Sequence, residues 1–466
     1  MGYAGQARVG DGAPGAADIE LTEDAIQVVP EHGDPVHVPL VDLEDVHDDD
    51  YVLRLEDHTG TRYELTMLGK AYGQLLADLR ARRHEVLERD LLLRGVNLQD
   101  TFPGKLLGSP TPVPVEVRVY EDLLVVIPER GTMFGVPFSF VERVDWDEEL
   151  YQVRVVTDDG RTLVFGHLAK RSEEFRGELR RLLDDLARRT SATLAGLLPG
   201  IEPASLSRLA TLLRDGRAAQ QRDIDAVDPT VWPRLEEAAS ATDQLRASYE
   251  RLRAMTPPGW AAFGVKAVLT EKEDRPAAAA WEGPDLQAGS ATDRQSRSER
   301  REQGVSRRVG AASSVTGAGA PSGEATVEEE APEPGEASTD LWYFCPLASE
   351  DRPVNAVAQE VASGSGHATY LFRLMEPDRF ASLSGEALAE EVGRSIARLN
   401  RALLQLNFRR EPIYLPEEQI QQGPFGRYRV ALRKLDHLRW ARKAFLGRAV
   451  HNSSWPAQVE AAVGRS

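Results

Sequence analysis

The segment Ser363-Gly364-Ser365-Gly366-His367 has the residue types and spacing that come nearest to ligand-binding or catalytic chemistry. A glycine-rich turn can hold a phosphate with its backbone N–H groups, and a histidine beside it can act as a base. The segment lacks the Lys-Ser/Thr pair of a P-loop and the third glycine of a dinucleotide-binding turn. Two interpretations stay open: a tight connection between strands, and a nucleotide-responsive or catalytic C-terminal domain.

A basic segment near the C-terminus, residues 427–448, has eight cationic side chains and one acid, Asp436. Apolar residues recur at helical spacing, so we expect a single helix from about 426 to 449. Such a helix could pack on its own domain, dock on an anionic surface such as a membrane, or bind an acidic partner. The candidate interaction residues are Arg427, Arg429, Arg433, Lys434, Arg439, Arg442, Lys443 and Arg448.

The first 60 residues offer an acidic partner for the basic segment. They contain 15 acidic residues against two arginines, Arg8 and Arg54. Opposite charges at the two ends of the chain predict an intramolecular or head-to-tail contact that salt would weaken.

An acidic turn at Asp48-Asp49-Asp50 has the oxygen ligands that a hard cation prefers. No glycine-spaced ligand loop follows it, and a second acidic turn occurs at Asp147–Glu149. A solvated loop explains both turns better than a metal site does. We therefore expect no metal and no cofactor.

Composition bounds the function further. The formal net charge of −18 over 466 residues argues against non-specific binding of nucleic acid. Cys345 is the single cysteine, so no intrachain disulfide can form, and we expect it to be buried in packing. Residues 1–17 lack the apolar core of a signal peptide, and the apolar run Leu123–Ile127 is too short to span a bilayer. These features predict a cytoplasmic protein.

The chain contains an internal repeat. Ile19–Val46 aligns with Val117–Val144 without a gap, and ten of the 28 positions are identical. Two extra residues enter the second copy near Asp147–Glu149, after which Tyr51 matches Tyr151. The two copies should therefore share one fold.

Each copy alternates apolar and polar residues, as in Tyr51–Leu55, and contains turns such as Asp57–Gly60, which predicts antiparallel hairpins. Each copy then changes to a helical period, as in Leu68–Leu79. About six short strands followed by one helix resembles the pleckstrin-homology-like (PH/GRAM-like) fold, and the chain resembles bacterial proteins with tandem domains of this kind. The resemblance implies two tandem PH-like β-barrels, each closed by a C-terminal helix, in an α+β protein.

The remaining pattern suggests five regions. The segment 282–338 has no aromatic and almost no aliphatic residue, so it cannot bury enough surface to fold alone. We expect PH-like domains at 15–93 and 105–190, a helical connector at 191–257, a C-terminal α+β domain split between 258–275 and 339–466, and a disordered insertion at 276–338.

These features predict a non-enzymatic scaffold or adaptor. The tandem domains would bind a protein partner through a sheet edge or the groove between helix and sheet. Phosphoinositide recognition by the first copy is disfavoured because its loop Glu31–Asp34 is acidic. Membrane contact is expected only through the basic segment, and no feature favours nucleic acid. The alternatives are the catalytic or nucleotide-responsive C-terminal domain and anionic-surface docking by the basic segment.

Overall fold

The computed structural model describes residues 2–93, 95–108, 111–129, 131–267, 339–348, 353–362, 368–420 and 425–466. The insertion expected at 276–338 and the turn Ser363–His367 lie outside the described residues, so both remain predictions. Within the described residues the chain is an α+β fold with three antiparallel sheets, which agrees with the expected class.

The first sheet has seven strands and is followed by one helix. Its elements are β1 (Gly2–Val9), β2 (Gly15–Leu21), β3 (Ala25–Pro30), β4 (Val36–Pro39), β5 (Leu43–Asp49), β6 (Val52–Asp57), β7 (Arg62–Thr66) and α1 (Tyr72–Asp90). The strands lie in the order β4-β3-β2-β1-β7-β6-β5. The sheet therefore begins at Gly2, before the expected boundary at residue 15, and β1 lies at its centre.

The second sheet repeats this topology. Its elements are β8 (Leu98–Leu107), β9 (Val113–Tyr120), β10 (Leu123–Pro128), β11 (Phe134–Pro137), β12 (Val141–Asp147), β13 (Gln152–Thr157), β14 (Thr162–Gly166) and α2 (Ser172–Leu197). The order β11-β10-β9-β8-β14-β13-β12 matches the first sheet strand for strand. The repeat in the sequence therefore corresponds to a repeat in structure, and a helix follows each copy as predicted.

Strands β1 and β8 were missed in the sequence because neither shows a clear apolar alternation. Both carry a glycine under a leucine: a Cβ atom at Gly5 would be 3.0 Å from Leu68, and one at Gly104 would be 2.7 Å from Leu168. These glycines are 99 residues apart, whereas the aligned repeat has an offset of 98. The loop from β8 to β9 is one residue shorter than the loop from β1 to β2, since Leu106 pairs with Val113 whereas Ala7 pairs with Gly15, so a comparison without gaps does not detect the strand pair.

Neither sheet closes into a barrel, so the expectation of closed barrels is wrong. Strands β4 and β5 follow one another but do not pair, because the short 3-10 helix between them is bonded elsewhere. The Leu40 N–H donates to the Asp24 carbonyl at 2.8 Å, and the His58 N–H donates to the Asp42 carbonyl at 2.9 Å. The turn Phe138–Phe140 occupies the same position in the second sheet. Each sheet therefore keeps two edge strands.

The third sheet has six strands and helices on both faces. This part of the chain comprises α3 (Pro203–Leu212), β15 (Ala219–Gln220), α4 (Gln221–Asp225), α5 (Val231–Ala239), α6 (Asp243–Ala254), β16 (Ala262–Ala267), β17 (Thr339–Ala348), β18 (Pro353–Val361), β19 (Ala368–Arg373), α7 (Pro377–Ala381), α8 (Gly385–Gln405), α9 (Glu411–Tyr414), α10 (Glu417–Ile420), α11 (Tyr428–Lys434), α12 (Asp436–Ala444), β20 (Phe445–Val450) and α13 (Trp455–Val463). The strands lie in numerical order from β15 to β20. Residues of α5, such as Trp232, share a core with Phe263 of β16, so part of the expected connector packs on this sheet.

The single helix expected from 426 to 449 is wrong. Leu435 has extended backbone angles (φ −96°, ψ 105°), which separate α11 from α12. The chain then continues as β20, which pairs with β19 and completes the edge of the sheet. Phe445–Val450 has a helical pattern but forms a strand, because pairing with β19 satisfies the backbone hydrogen-bonding groups of both strands at once.

Among the described residues, no helix combines the length and apolar composition needed to cross a bilayer.

Candidate interaction surfaces

Part of the basic segment contacts the first sheet. Arg429 and Arg433 lie four residues apart on one face of α11, and each donates to a carboxylate oxygen of Asp42, at 2.9 and 2.6 Å. Lys434 donates to Glu44 at 2.6 Å. The Asp42 side chain is only 8% exposed, so this is a largely desolvated ion pair. The contact is the intramolecular one that the charge distribution predicts.

Three further basic residues are bound within the C-terminal part. Arg439 pairs with Asp436 on its own helix, and Lys443 pairs with Glu376 at 2.6 Å. Arg442 donates to the backbone carbonyl oxygens of Pro412 and Leu415, at 2.7 and 2.9 Å. These bonds hold α12 in place and leave fewer charges available to an external anion.

Arg427 and Arg448 differ from the other six, because neither forms an ion pair among the described residues. Arg427 stacks on the ring of Tyr428, with its Cζ atom 5.0 Å from the ring centroid. Arg448 lies on β20, directly across from Tyr370 of β19. Tyr370 in turn pairs with Gln359 of β18. Directly opposed residues of an antiparallel sheet share one face, so these three side chains form a row across the strands.

A second arginine, Arg410, lies over this row. Its Cζ atom is 4.9 Å from the centroid of the Tyr370 ring. Burial lowers the pKa of Arg410 to about 10 and raises the pKa of Tyr370. Gln359 is fully buried, and neither of its amide atoms has a hydrogen-bond partner in the described structure. We call Gln359, Tyr370, Arg410 and Arg448 the arginine–glutamine row.

The sequence did not reveal this row. Its members come from three strands and from the turn before α9, and only the register of the third sheet brings them together. The consecutive arginines Arg409 and Arg410 were the available signal, but arginines are mostly surface residues, so a pair of them does not indicate a site.

The repeated sheets present a different candidate surface at equivalent turns. Tyr51 and Tyr151 are 74% and 68% exposed, and each occupies the turn that follows an edge strand, β5 or β12. Both have positive φ angles, 62° and 51°, which side chains other than glycine adopt at a cost. The Tyr51 ring lies 5.4 Å from Tyr72, and the Tyr151 ring lies 6.2 Å from Trp146. We call these the tyrosine turns.

The acidic residues of the first turn bind arginines. Asp48 accepts from Arg80 at 2.7 Å, and Asp49 accepts from Arg54 at 2.8 Å. No group of possible metal ligands occurs among the described residues. Two carboxylates of the acidic turn therefore form ion pairs within the first repeat, whereas the exposed Asp50 has no ion pair in the described part of the chain.

Each edge strand is covered where it starts. The Arg83 guanidinium donates to the carbonyl oxygens of Leu43 and Glu44, at 3.0 and 3.2 Å. In the second sheet, Arg214 donates to the Val141 carbonyl at 2.5 Å. Side chains thus cap the beginning of β5 and β12, and exposure is concentrated at the ends that carry the tyrosine turns.

Cys345 is fully buried in the third sheet, and burial raises the pKa of its thiol to about 12. A thiol with this pKa stays protonated at neutral pH and is a poor nucleophile. The geometry therefore favours packing as the role of Cys345.

The comparisons with known proteins provide only distant likenesses. No protein-family model matches the chain, and no curated protein matches it. Among solved structures, a C-terminal domain of an unknown protein from Leishmania infantum is similar to 22% of this chain over 97% of its own length, with 12% identity and a TM-score of 0.19. The Spt16D Pob3N heterodimer structure is similar to 34% of this chain over 84% of the matched chain, with 10% identity and a TM-score of 0.16. Likenesses at these values carry no conclusion about function.

Proposed function

We propose that this chain is a non-enzymatic scaffold or adaptor whose two seven-stranded sheets bind a protein partner through the tyrosine turns and the adjoining ends of β5 and β12. The observation that supports the proposal is the repetition of an exposed tyrosine at the same turn of both sheets. Exposed tyrosine is enriched in protein interfaces because its ring contributes apolar area and its hydroxyl a hydrogen bond.

The backbone at these turns adds support. A two-residue hairpin turn with positive φ at both positions favours Asn-Gly, yet here Asp50 and Tyr51 have φ angles of 48° and 62°. Stability alone would favour glycine at Tyr51. A tyrosine kept in a strained, exposed position is consistent with selection for binding.

Charge indicates the kind of surface that would fit. Asp50 adjoins Tyr51, and the exposed Glu148 and Glu149 lie just before Tyr151. Carboxylates beside an aromatic ring favour a partner that presents lysine or arginine, since a cation can pair with the acid and stack on the ring.

The two alternatives have less support. The turn Ser363–His367 lies outside the described residues, so a nucleotide-responsive or catalytic C-terminal domain stays a prediction. Docking on an anionic surface would use the basic segment, but Arg429, Arg433 and Lys434 are already paired with acids of the first sheet.

The test uses the full chain with Tyr51→Gly and Tyr151→Gly combined. Glycine relieves the positive φ while removing the ring, so we expect near-normal stability and loss of the partners that the wild type retains in affinity capture. Capture by the wild type should also weaken as ionic strength rises, because the proposed contact is partly electrostatic.

Leu98→Ser is the matched control, since Leu98 is also a large exposed apolar residue, 51% exposed, but lies away from the turns. It should leave capture unchanged. Equal capture by the double variant and the wild type would rule out the tyrosine turns as the binding surface.

A further inference from the structure

We infer that the arginine–glutamine row is a binding site for a small phosphate-bearing anion. Arg410 and Arg448 flank Tyr370 on one face of the third sheet, Arg410 by stacking on its ring and Arg448 by direct pairing across β19 and β20. The wholly buried Gln359 is the cross-strand neighbour of the same tyrosine.

The unpaired groups of this row are the reason to expect a ligand. A guanidinium removed from water costs several kcal/mol unless an anion or hydrogen-bond acceptors compensate it. Nη1 of Arg410 is buried and has no hydrogen-bond partner in the described structure, and the adjacent Glu411 does not form an ion pair with it there. Both polar atoms of the Gln359 amide are also unbonded. Unsatisfied groups of both kinds are rare in folded proteins, and here both residues adjoin Tyr370.

The donor set indicates the chemistry of the ligand. Two guanidinium groups, a phenolic hydroxyl and an amide N–H2 supply more donors than the two oxygens of a carboxylate accept. A phosphate group at neutral pH carries between one and two negative charges and at least three acceptor oxygens, which matches two arginines. Arg448 is exposed, so the row can be reached from solvent on that side.

The row also includes Arg448, a residue of the basic segment that does not take part in the contact with the first sheet. Arg448 stacks loosely on Tyr414, with its Cζ atom 5.8 Å from the ring centroid, and that ring lies 6.4 Å from Tyr370. The Tyr414 ring therefore limits the motion of the guanidinium. A cation held in this way binds an anion at a lower entropic cost than a freely moving surface arginine does.

The experiment titrates the full chain with inorganic phosphate and, separately, with adenosine monophosphate, at constant ionic strength balanced with chloride. Thermal shift and calorimetry should show saturable binding by the wild type and binding weaker by about tenfold or more for Arg448→Gln, because a charged hydrogen-bonding group is lost. Tighter binding of the nucleotide than of phosphate would identify a phosphomonoester as the ligand. Equal binding of the two would identify the free ion.

Arg410→Met provides a second test. Its expected result would not be seen if Arg410 had only a structural role. Since it removes a partly buried charge that forms no ion pair among the described residues, it should raise the melting temperature in phosphate-free buffer and abolish the shift caused by phosphate. Arg394→Gln, at an exposed arginine of α8 that pairs with Glu391, makes the same charge change as Arg448→Gln and should bind phosphate normally. Wild-type binding no stronger than in the chloride control, or undiminished binding by Arg448→Gln, would overturn the site.

Discussion

At the scale of single residues, we expect Asp42 to contribute more to stability than its polar sequence neighbourhood suggests. Its carboxylate lies at the end of the 3-10 turn before β5, where it accepts from both Arg429 and Arg433 and lies 3.6 Å from Nδ1 of His58. The two arginines are partly exposed, which reduces their desolvation cost. A buried acid between two accessible cations is an arrangement in which ion pairing is net favourable.

Asp42→Asn should therefore lower the free energy of unfolding by about 1–3 kcal/mol, since charge-assisted hydrogen bonds are worth that much and the arginines lose their anion. Urea denaturation at neutral pH measures the change. Asp49→Asn, at the far end of β5 and 59% exposed, should change stability much less, because water screens an exposed ion pair. Similar effects of the two substitutions would contradict a special role for Asp42.

At the scale of elements, the third sheet depends on close packing around Trp342. Its indole N–H donates to the Asn400 side chain at 2.9 Å, and Asn400 donates to the Gly216 carbonyl at 2.8 Å. A Cβ atom at Gly264, on the neighbouring strand β16, would be 2.4 Å from the indole ring. This bonded network connects β17, α8 and the turn before β15 through buried groups only.

Gly264→Ala should destabilise the protein by about 1–3 kcal/mol, because a methyl group would overlap a large ring that cannot move without breaking its hydrogen bond. Thermal unfolding followed by circular dichroism measures the change. Gly177→Ala is the matched control: it lies within α2 with open space around its Cα, so alanine should stabilise by roughly 0.5–1 kcal/mol. A neutral effect of Gly264→Ala would show that the indole can shift.

At the scale of the whole molecule, the repeated sheets are not independent of the C-terminal part. Apolar residues on the outer side of the second sheet, such as Val125 and Ile127, belong to the same core as Phe344 of β17 and Leu403 of α8. Leu91 after α1 belongs to that core as well. Separation of the sheets from the C-terminal part would expose these side chains to water.

We therefore expect a single cooperative unfolding transition in calorimetry for the full chain, with the calorimetric and van't Hoff enthalpies equal. A fragment that ends near residue 190 should be poorly soluble or partly unfolded, because it exposes Val125 and Ile127. Two well-separated transitions, or a stable and soluble fragment, would indicate that the shared core contributes little.

Local patterns accounted for most of what could be predicted. Period-2 alternation, turn residues and the change to a helical period each depend on neighbours in sequence, and they correctly predicted the hairpin β6–β7 and the helices α1 and α2. The same local logic failed at Phe445–Val450, where a helical pattern is overridden by pairing with a distant strand. It also failed at β1, where Gly5 is explained only by the close approach of the Leu68 side chain.

By itself, the sequence determined that the chain contains a repeated sheet-and-helix unit, that its ends have opposite charge, and that its class is α+β. Only the tertiary structure decided that the sheets stay open, that Asp42 receives two arginines, and that Gln359, Tyr370 and Arg448 share one face. The physical reason is that these features depend on strand register and on hydrogen bonds between residues far apart in sequence, whose energies no local pattern records.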